Sequence, residues 1–218
     1  MSEPGGIRAG VRAAAPVAVA VFFVGGSFGV VAAPVIGKAA TIAMSLIVFA
    51  GSAQFAATAV LADGGGTVAA ITAGILLNAR FLPMGISVGP ALCGRRLRRA
   101  AEGQAVVDAS WALANRGGGR FDRDVLLGAT LAQYPAWTIG TLAGVLLGER
   151  LGDPSSLGLD ALFPAFFLIL LIDELRDGRR RVAAALAGAL ALTLTPIAPP
   201  GVPVLAAAAV ALLGLRRA

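Results

Sequence analysis

Residues 66–90 read GTVAAITAGILLNARFLPMGISVGP, an apolar run long enough to cross a bilayer with a fixed positive charge, Arg80, inside it. A guanidinium at membrane depth costs roughly 2.5–3.5 kcal/mol on the mildest insertion scale, so it turns toward a bundle interior or a water-filled cavity. Pro83 removes a backbone donor three residues later, and protein or water must satisfy the helix it loosens. With Asn78 the three residues form one polar cluster in a greasy segment. The pattern points to a substrate or ion site within a membrane. The plainer alternative is an arginine near a helix end whose head snorkels to the interface.

The rest of the chain agrees with a membrane setting. Of its 218 residues 57% are hydrophobic and 14% charged, where a soluble domain carries about 25% charged. Seven apolar segments stand out, at about 13–33, 39–62, 66–90, 125–148, 158–174, 181–196 and 200–215. The last three are short enough to be tilted or partly re-entrant. Residues 104–115 are apolar but too short to cross and read as a half-helix or an interfacial piece. Residues 1–33 share the arginine-then-apolar layout of a signal peptide, but the apolar stretch continues long afterwards, so a first transmembrane helix is the better reading. The expected fold class is all-α: a polytopic membrane protein of about seven transmembrane helices, some of them broken, forming one transmembrane transporter domain over 1–218.

Arginines set the orientation. Arg95, Arg96, Arg98 and Arg99, then Arg116, Arg120 and Arg123, then Arg176 and Arg179 to Arg181, and last Arg216 and Arg217 flank apolar segments. They read as cytoplasmic loops rather than as a nucleic-acid surface. Three full crossings before Arg95 place the N-terminus outside, which Arg8 and Arg12 oppose; a re-entrant early segment would resolve the conflict. Seven spans with the N-terminus outside is the favoured reading. VAAITAGIL at 68–76 matches VAAALAGAL at 182–190 in six of nine positions, an offset of 114, and Gly25 and Gly29 match Gly140 and Gly144 at an offset of 115. Repeat one then covers about 13–90 and repeat two about 125–196, as two inverted three-helix repeats plus one helix, with the site near the midplane where they meet.

The chemistry the chain lacks is equally informative. There is no histidine and one cysteine, Cys93, so a catalytic metal, a Ser-His hydrolase site and an intrachain disulfide are not expected. A serine enzyme would need Lys38, the one lysine, beside Ser45 or Ser52. The expectation is a non-enzyme with no cofactor and no metal.

Four clusters carry the candidate residues. In GGSFG, Gly25, Ser27 and Gly29 either open the backbone to hold a carboxylate or form a small-residue packing face. In AMSLIVFAGSAQF, small residues allow the chain to open, Ser52 and Gln54 supply polar groups, and Phe49 and Phe55 supply rings for an alkyl chain. In NARFLPM, Asn78 and Arg80 meet a substrate carboxylate, or Arg80 pairs with an acid, for which Asp108 is the best partner or proton-coupling candidate; otherwise Asp108 caps a helix. In LAQYPAWTIGTLAG, Gln133 and Pro135 suit a kink, while Tyr134 and Trp137 read best as membrane-interface aromatics.

These motifs together resemble the AzlC family of branched-chain amino acid exporters. The resemblance covers about residues 20–215 and rests on FG at 28–29, MSLIVFAGSAQF at 44–55, NAR at 78–80, PMGIS at 83–87, and Asp108 followed by Ser110 and Ala112-Leu113. It implies a multi-pass permease of the bacterial inner (cell) membrane that exports leucine, isoleucine, valine and often methionine, driven by the proton motive force. It also implies a small hydrophobic AzlD-type partner subunit in the same lipid bilayer, with no nucleic-acid partner. Two departures matter: Phe81 follows the Asn-x-Arg and the chain has no histidine to carry a coupled proton, and Ala109 stands where many members follow the aspartate with a glutamate. The alternative reading is a membrane subunit that assists a partner without transporting.

Overall fold

A computed structural model describes residues 6–62, 64–151 and 178–198, with isolated positions 168, 171, 172, 175, 202, 203, 206, 207 and 210. All regular structure among the described residues is helical, apart from one isolated bridge between Asn115 and Phe121. The apolar segments 158–174 and 200–215 lie almost wholly outside the described residues. The chain divides into two compact units: residues 1–50 with 81–159, and residues 51–80 with 160–218.

The first unit is built on two long helices, α1 (Ile7–Ile36) and α8 (Arg123–Leu151). At 1.5 Å per residue, each exceeds the ~30 Å hydrocarbon thickness. They pack backbone against backbone. A Cβ built on Gly25 would lie 2.5 Å from the Trp137 carbonyl oxygen, and one on Gly29 would lie 2.9 Å from the Val145 nitrogen. Gly140 is equally tight against Phe22, and Gly144 against Gly26. Small residues permit this approach, which in lipid supplies the packing that water exclusion supplies elsewhere. The glycine cluster is therefore a helix contact. α1 runs unbroken through Gly25–Gly29, so the opened-backbone expectation for Gly25 and Gly29 is not met.

The contacts also fix direction. Gly128 lies beside Ile7, Gly140 beside Phe22, and Gly148 beside Val30, so α1 and α8 run parallel. Positions 115 apart occupy equivalent places: Gly25 meets Trp137 as Gly140 meets Phe22, and Gly29 meets Thr141 as Gly144 meets Gly26. The inversion expected from sequence is thereby corrected. Segments 13–33 and 125–148, related by an axis in the membrane plane, would run antiparallel; a parallel pair has its axis along the helices.

Parallel α1 and α8 require one net return between them, where the sequence predicts two crossings. Gly37, at φ +85°, turns the chain sharply into α2 (Lys38–Ile47), a conformation glycine adopts without strain. α2 descends along α8, placing Ser45 at Thr141 and Leu46 at Tyr134, and ends about half-way down it. Val48–Ala50 is non-helical, and Phe49 has φ +44°, a strained value for a bulky side chain. The second unit then contributes α3 (Gly51–Ala62) and α4 (Thr67–Asn78), a tight pair of about 18 Å per helix. The chain re-enters the first unit as α5 (Phe81–Val88) and a short 3₁₀ turn, Gly89–Ala91. Val88 packs with Val125 and Leu126 at the start of α8, completing the return. Segment 39–62 is thus two helices, α2 and α3, rather than one continuous helix. Segment 66–90 is long and apolar enough to cross but is interrupted at Ala79–Arg80.

Two short helices close the same end, α6 (Arg96–Gly103) and α7 (Asp108–Ala114). Asp122 caps α8 through the Val125 amide at 3.1 Å. In the second unit a further apolar helix, α9 (Gly178–Leu194), occupies the predicted segment 181–196.

Glu102 ties the α6 end together. Its carboxylate accepts from Arg123 through Nη2 and, at 2.9 Å, Nε, from Arg98 Nε at 3.0 Å, and from the Cys93 amide at 3.2 Å. The Arg123 hydrogen bonds, against the opposing effect of burial, lower its pKa from 4.5 to about 2. A depressed carboxylate stabilises the fold fully above its unfolded pKa and loses that contribution as pH falls toward the folded value. Stability in micelles should therefore drop between about pH 4.5 and pH 2. Glu102→Gln should be less stable at pH 7 and show a flatter pH profile; an unchanged profile would contradict the assignment.

Candidate functional site

Both units bury polar side chains. In the second unit α3 begins with Gly51 and Ser52, immediately after the non-helical Val48–Ala50. Because α3 and α4 form an antiparallel pair, the start of α3 meets the end of α4. There the Arg80 Nη2 donates to Ser52 Oγ at 2.7 Å. Two residues picked out by sequence, 28 positions apart, are thus in direct contact. Asn78, the last residue of α4, holds its Oδ1 buried with no hydrogen-bond donor among the described residues. Gln54 is fully buried on α3, Ser52 nearly so, and Phe55 half-buried. Thr58 on α3 also has a buried hydroxyl without a partner among the described residues.

This arrangement has a definite chemistry. The first amides of a helix are not engaged by its own carbonyls, and its dipole favours negative charge there. A guanidinium at the same helix start adds a planar fork suited to a carboxylate. Asn78 Oδ1, an acceptor two residues from Arg80, suits a donor such as an ammonium. The second unit therefore offers donors for an anion and an acceptor for a cation within a short span of chain.

In the first unit the polar groups line the α1, α2 and α8 contacts. Ser45 and Thr141, both fully buried, share a 2.9 Å hydrogen bond. Ser27 is buried on α1. Gln133 donates to the Ala129 carbonyl at 3.2 Å, a bond within its own helix. Trp137 is buried and stacks on Phe28 with ring centroids 5.9 Å apart, which overturns its reading as an interface aromatic. Phe49 packs edge-on against Tyr134 at 5.1 Å, and Tyr134 donates to the Leu46 carbonyl at 2.8 Å. That bond satisfies one of the carbonyls exposed where α2 stops. Asp108 opens α7, where a carboxylate is favoured by the helix dipole. It belongs to the first unit and Arg80 to the second.

Sequence reasoning did not find Glu102, whose hydrogen bonds come from positions 9 and 21 residues away as well as from its own helix. Nor did it find Thr141. The one visible signal was its place, one residue after Gly140, in the glycine pattern of the repeat.

Long apolar helices, interrupted at buried polar residues and closed at one end by an arginine-rich cap, define a helical membrane protein. Comparison with known proteins specifies it further. The family described as AzlC protein matches residues 16–151, and the chain belongs to the AzlC family. The match ends at Leu151, short of the 20–215 extent expected from the motifs. Inner membrane protein YgaZ of Escherichia coli is 30% identical over 162 residues, covering 67% of this chain and 64% of that protein. An uncharacterized membrane protein of Helicobacter pylori is 25% identical over 134 residues, 60% of this chain and 58% of its own length. An uncharacterized membrane protein of Archaeoglobus fulgidus is 30% identical over 211 residues, 95% and 93% of the two chains. The chain thus spans less than two thirds of the H. pylori and E. coli relatives. No solved structure matches it.

Proposed function

We propose that the protein is a secondary transporter that exports branched-chain, small aliphatic amino acids across the bacterial inner membrane, coupled to protons. The observation that carries this reading is the Arg80–Ser52 bond at the start of α3, beside the buried acceptor of Asn78. A zwitterion presents the two charges this arrangement complements. Its carboxylate meets Arg80 and the first amides of α3; its ammonium meets Asn78; its alkyl chain lies on Phe55. Membership of the AzlC family supports a transport-related role. The small AzlD-type subunit belongs to the same proposal. Leucine efflux from liposomes holding the protein with and without that subunit tests it. No efflux in either case would favour a subunit that assists a partner without transporting.

The parallel pair supports one topology. We assign the α6–α7 cap to the cytoplasm on its arginines, which brings the start of α1, with Arg8 and Arg12, to the same side. The native Cys93 and a cysteine at Arg8→Cys in a Cys93→Ser background should both react with a membrane-impermeant maleimide in inverted vesicles and be spared in intact cells. Labelling from opposite faces would overturn the assignment.

A further inference from the structure

We propose that the first unit carries a binding groove for one anionic phospholipid, with the acyl chain along α8 and the phosphate at the arginines of α6. Because α2 stops half-way down α8, an open cavity of about 550 Å³ remains beneath it. Leu127, Leu131 and Pro135 form its wall, Ile47 its roof, and Ala101 and Gln104 its floor. The lining is mainly apolar, with Gln104, Thr130 and Tyr134 as its polar members, and its edges are bare: Ile47 is 77% and Leu131 60% exposed. Such a surface at membrane depth is covered by something apolar.

Length and charge select the occupant. From Leu127 to Pro135 the groove covers about 12 Å of helix, close to one leaflet's half of the ~30 Å hydrocarbon core. A spanning partner helix needs about 20 residues and would extend far beyond it; an acyl chain entering from one face would not. The floor belongs to the helix that opens with Arg95, Arg96, Arg98 and Arg99. Arg98 is engaged by Glu102. Arg95 and Arg96 are exposed and make no ion pair among the described residues. Leu97, one turn before Ala101 on the same helix, is 88% exposed and continues the apolar floor toward the headgroups. Basic pockets at the cytoplasmic end of membrane helices suit phosphate headgroups.

The full chain, purified in detergent, is titrated with phosphatidylglycerol or phosphatidylcholine, with retained lipid counted by native mass spectrometry and unfolding temperature followed. We expect one phosphatidylglycerol per chain, a raised unfolding temperature, and an affinity about tenfold or more above that for phosphatidylcholine. Arg95→Gln with Arg96→Gln should remove that preference. Leu131→Trp, an exposed position, should weaken both lipids while leaving the unfolding temperature in detergent alone unchanged. Equal binding of both lipids by the unaltered chain, undiminished lipid binding by Leu131→Trp, or capture of a polypeptide rather than lipid by a photo-crosslinker at Leu131 would each overturn the proposal. None of these readouts depends on transport.

Discussion

Leucine efflux by Arg80→Ala is expected to fall by about two orders of magnitude or more, with the protein still present in the membrane. The estimate follows from geometry. Arg80 is half-buried and donates to Ser52 at the start of α3. Removing one partner of a desolvated charge pair costs about 3–5 kcal/mol, and the pair at stake is the one a bound carboxylate would make with Arg80. Arg80→Lys should recover little, because a point charge cannot reproduce the planar fork. Ser52→Ala removes one hydrogen bond to a charged group and should cost about tenfold or somewhat more. Efflux from proteoliposomes at matched protein content checks all three. Undiminished efflux by Arg80→Ala would remove the residue from the site and the zwitterion reading with it.

The second large effect concerns folding. Gly29→Leu should destabilise the protein severely, because the space its side chain needs is already backbone: Thr141, Val145 and Gly144 of α8 all lie within 3.0 Å of an added Cβ. Overpacking a core costs about 1–3 kcal/mol where side chains can yield, and here there is no flexible chain end to yield. Gly26→Ala is the internal control. Its Cβ would meet only the Gly140 carbonyl oxygen at 3.6 Å, ordinary contact, and alanine favours helix by up to ~1 kcal/mol. Gly26→Ala should therefore unfold no earlier than the parent. Unfolding temperature in detergent, with size-exclusion profiles, separates the two; equal stability of both variants would contradict the backbone packing.

Some of this was legible from residues alone, and the reasons differ from place to place. The interruption of segment 39–62 could be anticipated because small residues in FAGSAQF have little to hold a helix straight, and the break falls at Val48–Ala50. Arg80 and Ser52 were each conspicuous as polar groups in apolar runs, but their contact depends on the α3–α4 turn. The glycines at 25, 29, 140 and 144 were visible as a periodic set; that they face one another was not, since spacing is the same for a ligand loop and for a packing face. The direction of the repeat was misread for a related reason. Counting crossings assumes that each apolar run is one helix, and segment 39–62 is broken at Val48–Ala50. Arg8 and Arg12 were the sequence signal that the count was off by one.

The glycine-to-glycine contact of α1 and α8 has a mechanical consequence. Where their glycines meet, the two helices touch backbone to backbone with no side chain between them to change rotamer, and sliding one past the other there would drive carbonyls into Cα atoms. The pair is a keel. The first helices of the two halves, α1 and α8, therefore move as one body.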